Sequence, residues 1–229
     1  MKTKFLHIAT ALLFAGFTSS CSDFLDRYPL DELSDSSFWK TENDAMMAVT
    51  DIYGCLPTWD QDEDINSDNA VHGIKWAAGN ISKGIYDPMD QSWAGSYTPI
   101  RQCNLVLEKV KDIEMSDESR KKIEGQAYFF RAFVYFNLIR SFGDVPYIDK
   151  PLNLTDVEDI TRTPREEVYA KVMADFDKAI EYLPEEWDAA NTPRVTKGAA
   201  LAMKARAALY YNNWQVAADA SKAVMDLGK

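Results

Sequence analysis

The chain has 229 residues, with 25 Lys and Arg against 36 Asp and Glu and a formal net charge of −11. So acidic a surface repels phosphate backbones and anionic lipid, which argues against nucleic acid as a partner and suits a neutral or cationic ligand. The length is enough for one or two packed cores.

Lys2 and Lys4 precede an apolar run from Phe5 to Phe17, which closes on the small residues Thr18, Ser19 and Ser20. That is the three-part layout of a secretory signal, so residues 1–20 are read as a signal peptide. The run is too short to cross a hydrocarbon core, which takes roughly 20 residues. Cys21 stands directly after the small residues, where a lipoprotein carries its diacylglyceryl and palmitate-type acyl chains; Thr18 replaces the commoner Leu of the lipobox. Cys21 is therefore the expected lipid attachment, and membrane contact is expected through that anchor alone. Residues 21–36, with Asp23 and Asp26, read as a polar tether, and loss of Lys2 and Lys4 takes the net charge to −13. Residues 37–229 form the helical domain.

Ala45, Ala48, Val49, Ile52, Tyr53 and Leu56 recur at i, i+3, i+4 and i+7, which predicts a first helix capped by Thr41 and Asp44. From Pro57 to Tyr97 no helical period holds, and so long an irregular segment is usually functional. It carries Trp59, Trp76 and Trp93, Tyr86, and seven acids against two lysines. Within it Asp60, Asp62, Asp64, Asn66 and Asp68 alternate as calcium ligands do. Ile65 stands where a calcium loop turns on Gly, and Val71 where it needs Glu, so a solvated acidic loop is the better reading.

A second helix is predicted to open on Thr98 and Pro99 and to bury Ile100, Cys103, Leu107 and Val110. The third, from about Ser116 to Phe142, is aromatic almost all round, with Tyr128, Phe129, Phe130, Phe133, Tyr135 and Phe136. Such a helix must lie between others. Gly143 and Pro146 end it. Thr163, Pro164 and Glu166 spell a cap, first turn and capping-box partner for a fourth helix, with Val168, Val172, Phe176, Ile180 and Leu183 inward. Two final helices, near 196–211 and 214–227, are joined only by Asn212 and Asn213, which forces an antiparallel hairpin. Ala199, Ala202, Ala205, Ala207 and Ala208 let it pack closely. The fold class is all-α, with tetratricopeptide-like helical repeats and one long irregular loop between the first two helices.

Several chemistries are excluded. His7 leaves with the signal and His72 stands alone, so no multi-histidine metal site exists; no nucleophile motif and no glycine-rich phosphate cradle is present. No cofactor and no enzymatic activity are expected, although paired carboxylates for glycoside hydrolysis depend on spatial rather than sequence spacing. Cys55 and Cys103 could pair in an oxidising compartment; their place on or beside apolar stripes favours unpaired core thiols.

At the third helix a pattern emerges. The run Gly125 to Tyr147, GQAYFFRAFVYFNLIRSFGDVPY, resembles the hallmark of the SusD-like (RagB/SusD) outer-membrane nutrient-binding lipoproteins. Trp93, Tyr97, Ile100 and Asn104 match the family's start to the second helix, TPREEVYAKVMADFDKAIEYLP the next, and RVTKGAALAMKARAALY with NWQVAADASKAV the last pair; CSDFLD matches its leader. The resemblance implies the N-terminal part of a larger SusD-like fold, a partial chain lying at the cell's exterior face. It implies a protein that binds a nutrient, most often a glycan, and serves a SusC-like TonB-dependent transporter. Trp59, Trp76 and Tyr86, with Asn80 as a hydrogen-bonding side chain, are the ligand-binding candidates, because sugar rings offer C–H faces to aromatic rings while their hydroxyls need polar partners. Trp93 reads instead as a packing anchor. The alternative is a helical-repeat scaffold that grips a protein partner at the outer membrane.

Overall fold

The computed structural model describes residues 38–57, 84 and 93–228, and among these described residues of the unit Trp39–Lys229 there are six α-helices. The first, α1 (Glu42–Ile52), begins at a reciprocal capping box. The Thr41 hydroxyl accepts from the Asp44 N–H at 3.3 Å, and the Asp44 carboxylate accepts from the Thr41 N–H at 2.8 Å. This is the start that the sequence predicts. Ala45, Val49 and Ile52 form its fully buried face, and a 3₁₀ turn over Tyr53–Cys55 leads out of it.

α2 (Tyr97–Lys109) departs from expectation at its start. A 3₁₀ turn over Ala94–Ser96 runs straight into it, so the Trp93 and Ala94 carbonyls take the N–H groups of Ser96 and Tyr97. No side chain caps the helix. The helix therefore opens ahead of the predicted Thr98 and Pro99, and Pro99 sits within the first turn, where a missing N–H leaves nothing unsatisfied. Ile100, Cys103, Val106 and Leu107 are buried as the stripe requires. Cys55 and Cys103 are unpaired thiols.

α3 (Asp117–Phe142) is the longest helix among the described residues, capped by Ser116, whose hydroxyl accepts from the Ser119 N–H at 3.0 Å. Phe130, Tyr135, Phe136 and Ile123 are fully or almost fully buried, on faces that meet α1, α2 and the helix that follows. Gly143 ends it at φ 70°, a left-handed turn that a residue without Cβ adopts freely. Beyond it Val145 and Thr163 exchange two backbone hydrogen bonds, of 3.2 and 2.9 Å. Among the described residues this antiparallel bridge is the whole of the extended pairing.

α4 (Arg165–Tyr182) is where the predicted capping box fails. Thr163 is committed to the bridge, its Oγ1 accepting from the Tyr147 N–H at 3.4 Å, and Glu166 turns to the Arg165 side chain at 2.8 Å. The orphan Arg165 N–H is taken instead by the Asp144 carboxylate at 2.9 Å. An acid from the FGDVPY segment thus caps a helix that begins some twenty residues later.

α5 (Lys197–Tyr210) starts on Thr196, whose hydroxyl accepts from the Ala199 N–H. Asn212, at φ 57°, turns the chain into α6 (Trp214–Asp226), a tight joint that Asn tolerates. Ala200, Ala207, Ala208, Ala217 and Ala220 are buried, whereas Ala202 faces solvent, so the alanine-rich face is narrower than its composition implies. Packing follows chain order: α1 and α2 on α3, α3 on α4, α4 on α5, α5 on α6. That is the neighbour-on-neighbour stacking of tetratricopeptide-like repeats. No helix among the described residues is long and apolar enough to cross a membrane.

Candidate functional site

Three polar residues from the sequence motifs meet in the interior. Arg131 on α3 donates through Nε and Nη2 to the two carboxylate oxygens of Asp175 on α4, both at 2.7 Å, and through Nη1 to Asn104 Oδ1 on α2 at 2.8 Å. All three are almost entirely buried. Burial pushes the Asp175 carboxyl up, and the guanidinium draws it back. Burial also opposes the Arg131 charge, but the carboxylate outweighs it and holds the guanidinium above its ordinary value. Two short parallel bonds of this kind are the geometry of an ionised, bidentate pair.

The same knot holds the segment after α3. Asn104 Nδ2 donates to the Ile148 carbonyl at 2.9 Å. The Tyr135 hydroxyl accepts from the Ile148 N–H at 2.6 Å, and the Tyr97 hydroxyl donates to the Pro146 carbonyl at 2.9 Å. The motif residues therefore serve the frame: Tyr97, Asn104 and Tyr135 satisfy the backbone of a strap, residues 143–150, that has no sheet to pair with, and Arg131 holds Asn104 in place. Trp93 joins this frame, edge-on to Phe142 at 5.1 Å and with the Arg162 guanidinium 4.8 Å from its ring centre, and so is a packing residue.

On the other side of the α2 start a cleft of about 530 Å³ opens between the Tyr53–Cys55 turn, the Ala94–Ser96 turn and α3. Its position follows from the chain: these two turns are the roots of the long segment between α1 and α2. Asp51, Thr98, Gln102 and Asn137 bring polar groups to the cleft, and Phe133, Val134 and Pro99 bring apolar surface. Gln102 donates its amide N–H to the Asp51 carboxylate. The Cys55 thiol at the rim is pushed up to about 11 by burial, so at neutral pH it is a protonated thiol and no nucleophile. Such a surface can hydrogen-bond hydroxyls and pack against C–H groups.

Of the residues named from sequence, Cys21, Trp59, Trp76, Asn80 and Tyr86 lie outside the described residues, as does the acidic run 60–68. Among the described residues no cluster of His, Cys, Asp and Glu is arranged to hold a metal ion. No local pattern marks Asp51, Gln102 or Asn137 as cleft residues, and Phe133 reads in the sequence only as one of the third helix's aromatics. Asp51 and Gln102 are some fifty residues apart, and each alone reads as an ordinary exposed helix residue.

Stacked helical hairpins with a cleft of about 530 Å³ at the root of a long inter-helix segment define an all-α helical-repeat protein. The SusD-like family model, described as starch-binding and associating with the outer membrane, matches residues 23–209, and the chain belongs to that family. It is 29% identical to SusD-like protein P2 of Formosa agariphila over 98% of its own length and 46% of that relative's, so it spans about half the length of that curated relative. A SusD-like protein of Bacteroides fragilis NCTC 9343 superimposes with a TM-score of 0.78 at 28% identity, covering 88% of this chain and 41% of the other. A laminarin-binding SusD-like protein shares the fold at TM-score 0.72 and 23% identity, over 79% of this chain and 42% of its own.

Proposed function

We propose that this chain is the N-terminal helical part of a cell-surface lipoprotein that captures a glycan and passes it to a SusC-like TonB-dependent outer-membrane transporter, without chemistry of its own. The observation that carries the reading is the cleft at the two roots of the Trp59–Trp76–Tyr86 segment, with a phenyl ring and amide and carboxylate side chains around it. Family membership supports it, and a protein of the same fold binds laminarin. On this reading Cys21 carries the lipid, residues 21–36 give it reach, and Trp59, Trp76, Asn80 and Tyr86, in the segment between the two turns in sequence, contribute contacts to the ligand.

A partner-gripping scaffold is the second reading, favoured by the exposed apolar groups of the last hairpin: Leu209, Tyr210, Trp214 and Met225 are all more than half exposed. The two part in one experiment. Full-length protein is titrated calorimetrically with a panel of neutral and charged oligosaccharides, and Trp76→Ala, Tyr86→Ala and Phe133→Ala are compared with wild type. The glycan reading expects a bound sugar and about a tenfold loss of affinity for each aromatic removed. A folded protein that binds no glycan, or variants that leave affinity untouched, would count against it. Cys21→Ser in the same cells should move the protein from the membrane fraction to the soluble fraction with its thermal midpoint unchanged.

A further inference from the structure

One wall of the cleft is thinly built. Its lining residues Asp51, Gly54 and Cys55 come from the last turn of α1 and the 3₁₀ turn that follows. None of the residues in that turn is fully buried: Tyr53 and Cys55 are half-buried and Gly54 is exposed. The turn closes on the Leu56 N–H donating to the Tyr53 carbonyl at 3.1 Å. A segment with so little buried surface opens locally at low cost unless other contacts hold it.

Such contacts converge on it from distant parts of the chain. The Tyr53 hydroxyl donates to Gln126 Oε1 on α3 at 2.9 Å and accepts from the Val195 N–H at 2.9 Å. Arg194 donates through Nη1 to the same Gln126 oxygen at 3.2 Å and through Nη2 to Thr50 Oγ1 at 3.0 Å, with its guanidinium 5.9 Å from the Tyr53 ring centre. Gln126 is fully buried, and its Nε2 is fixed by donation to the Lys122 carbonyl at 3.0 Å. The loop that brings Arg194, residues 183–196 between α4 and α5, is braced in turn. Trp187 Nε1 donates to the Val195 carbonyl at 2.8 Å, and the Asp188 carboxylate accepts from the Asn191 N–H at 3.0 Å. Thr50, Tyr53 and Arg194 face a separate recess of about 190 Å³, and none of them lines the cleft.

We propose that Arg194 and Tyr53, meeting on Gln126, are positioning residues for the cleft: they hold the Asp51–Cys55 wall at the spacing that ligand binding needs. The loop between α4 and α5 is thereby coupled to a site it does not touch. Since Tyr53, Gln126 and Arg194 line no part of the cleft, their influence on it passes through the wall. From the α2 side the same wall is met by Gln102, which donates to Asp51. The proposal rests on the glycan reading above and deepens it by naming what sets the shape of that site.

Cys55 reports on the wall directly. Its free thiol lines the cleft and burial keeps it protonated, so it reacts slowly while the wall stays in place. Cys103, fully buried in the core, reacts only when the molecule opens more widely. Full-length protein is treated with a maleimide, and labelling of the two thiols is followed by peptide mass spectrometry in wild type, Tyr53→Phe, Arg194→Met, Arg194→Lys and Asp144→Ala. Tyr53→Phe keeps the ring edge-on to Phe130 at 4.5 Å and loses only the hydroxyl, which preserves the fold. Tyr53→Phe and Arg194→Met are expected to label Cys55 about tenfold faster with Cys103 unchanged, and Arg194→Lys, which keeps one charged donor, to fall between. Asp144→Ala, which loses a cap on α4, leaves Cys55 at the wild-type rate. Both clamp variants weaken calorimetric binding of neutral oligosaccharides about tenfold. Cys55 labelling that stays at the wild-type rate, or that rises only in step with Cys103 or equally in Asp144→Ala, overturns the clamp. Faster Cys55 labelling with unchanged glycan affinity overturns its positioning role and leaves a structural tie. If wild type binds no glycan, the reading beneath falls, while the labelling contrast still decides whether the clamp holds the wall.

Discussion

Asp175 lies beside the apolar stripe of α4, next to the fully buried Phe176, and in the sequence it reads as one more solvent-facing acid. The fold puts Arg131 against it, 44 positions away, in a contact that neither local pattern encodes. Because the pair is buried, removing one member leaves the other charge without water or partner. Asp175→Ala is expected to cost about 3–5 kcal/mol in urea unfolding, and the double change Arg131→Met/Asp175→Leu to recover most of that loss. A loss below about 1 kcal/mol for the single change would mean that water reaches Arg131. Arg131 and Asn104 were legible as motif letters; that both serve one knot was not.

At the scale of elements, caps divide into those that local sequence writes and those that packing supplies. Thr41, Ser116 and Thr196 cap their helices as local spacing dictates or allows. α4 carries an equally clear local signal in Thr163 and Glu166, and the fold overrides it. Thr163 is drawn into the bridge with Val145, and Asp144 moves into the vacated capping role. Asp144→Ala is therefore expected to lower stability by about 1 kcal/mol, the usual worth of a cap, with Thr163→Ala costing less. Paired unfolding curves decide between the two: the reverse order would restore the local capping box. The start of α2 follows the same logic, since a preceding 3₁₀ turn supplies carbonyls that a side-chain cap would otherwise replace.

Across the whole molecule the core holds several acids in their neutral form. Burial raises the Cys55 thiol to about 11 from 9.0 and the Tyr97 hydroxyl to about 12 from 10.0, and pushes Cys103, Tyr135 and Tyr147 higher still. In the unfolded chain these groups release protons near their ordinary values, while the folded chain keeps them. Above pH 9 or so the folded state thus binds more protons, and stability falls as pH rises. The thermal midpoint should hold steady from about pH 7 to 8.5 and drop progressively up to about pH 11. A flat profile across that range would show that water reaches these side chains in the native state.

The helical period, the alanine-rich hairpin with its two-residue joint, and the ordered motifs of the SusD-like family were all present in the amino-acid sequence. Each is a local pattern, and local backbone geometry reads it directly. Tertiary structure alone decided that Asp144 caps α4, that Arg131, Asp175 and Asn104 share one buried knot, and that a cleft opens beside the start of α2. Those arrangements join residues far apart in the chain. Side-chain spacing specifies which face of a helix turns inward; only packing specifies what that face meets.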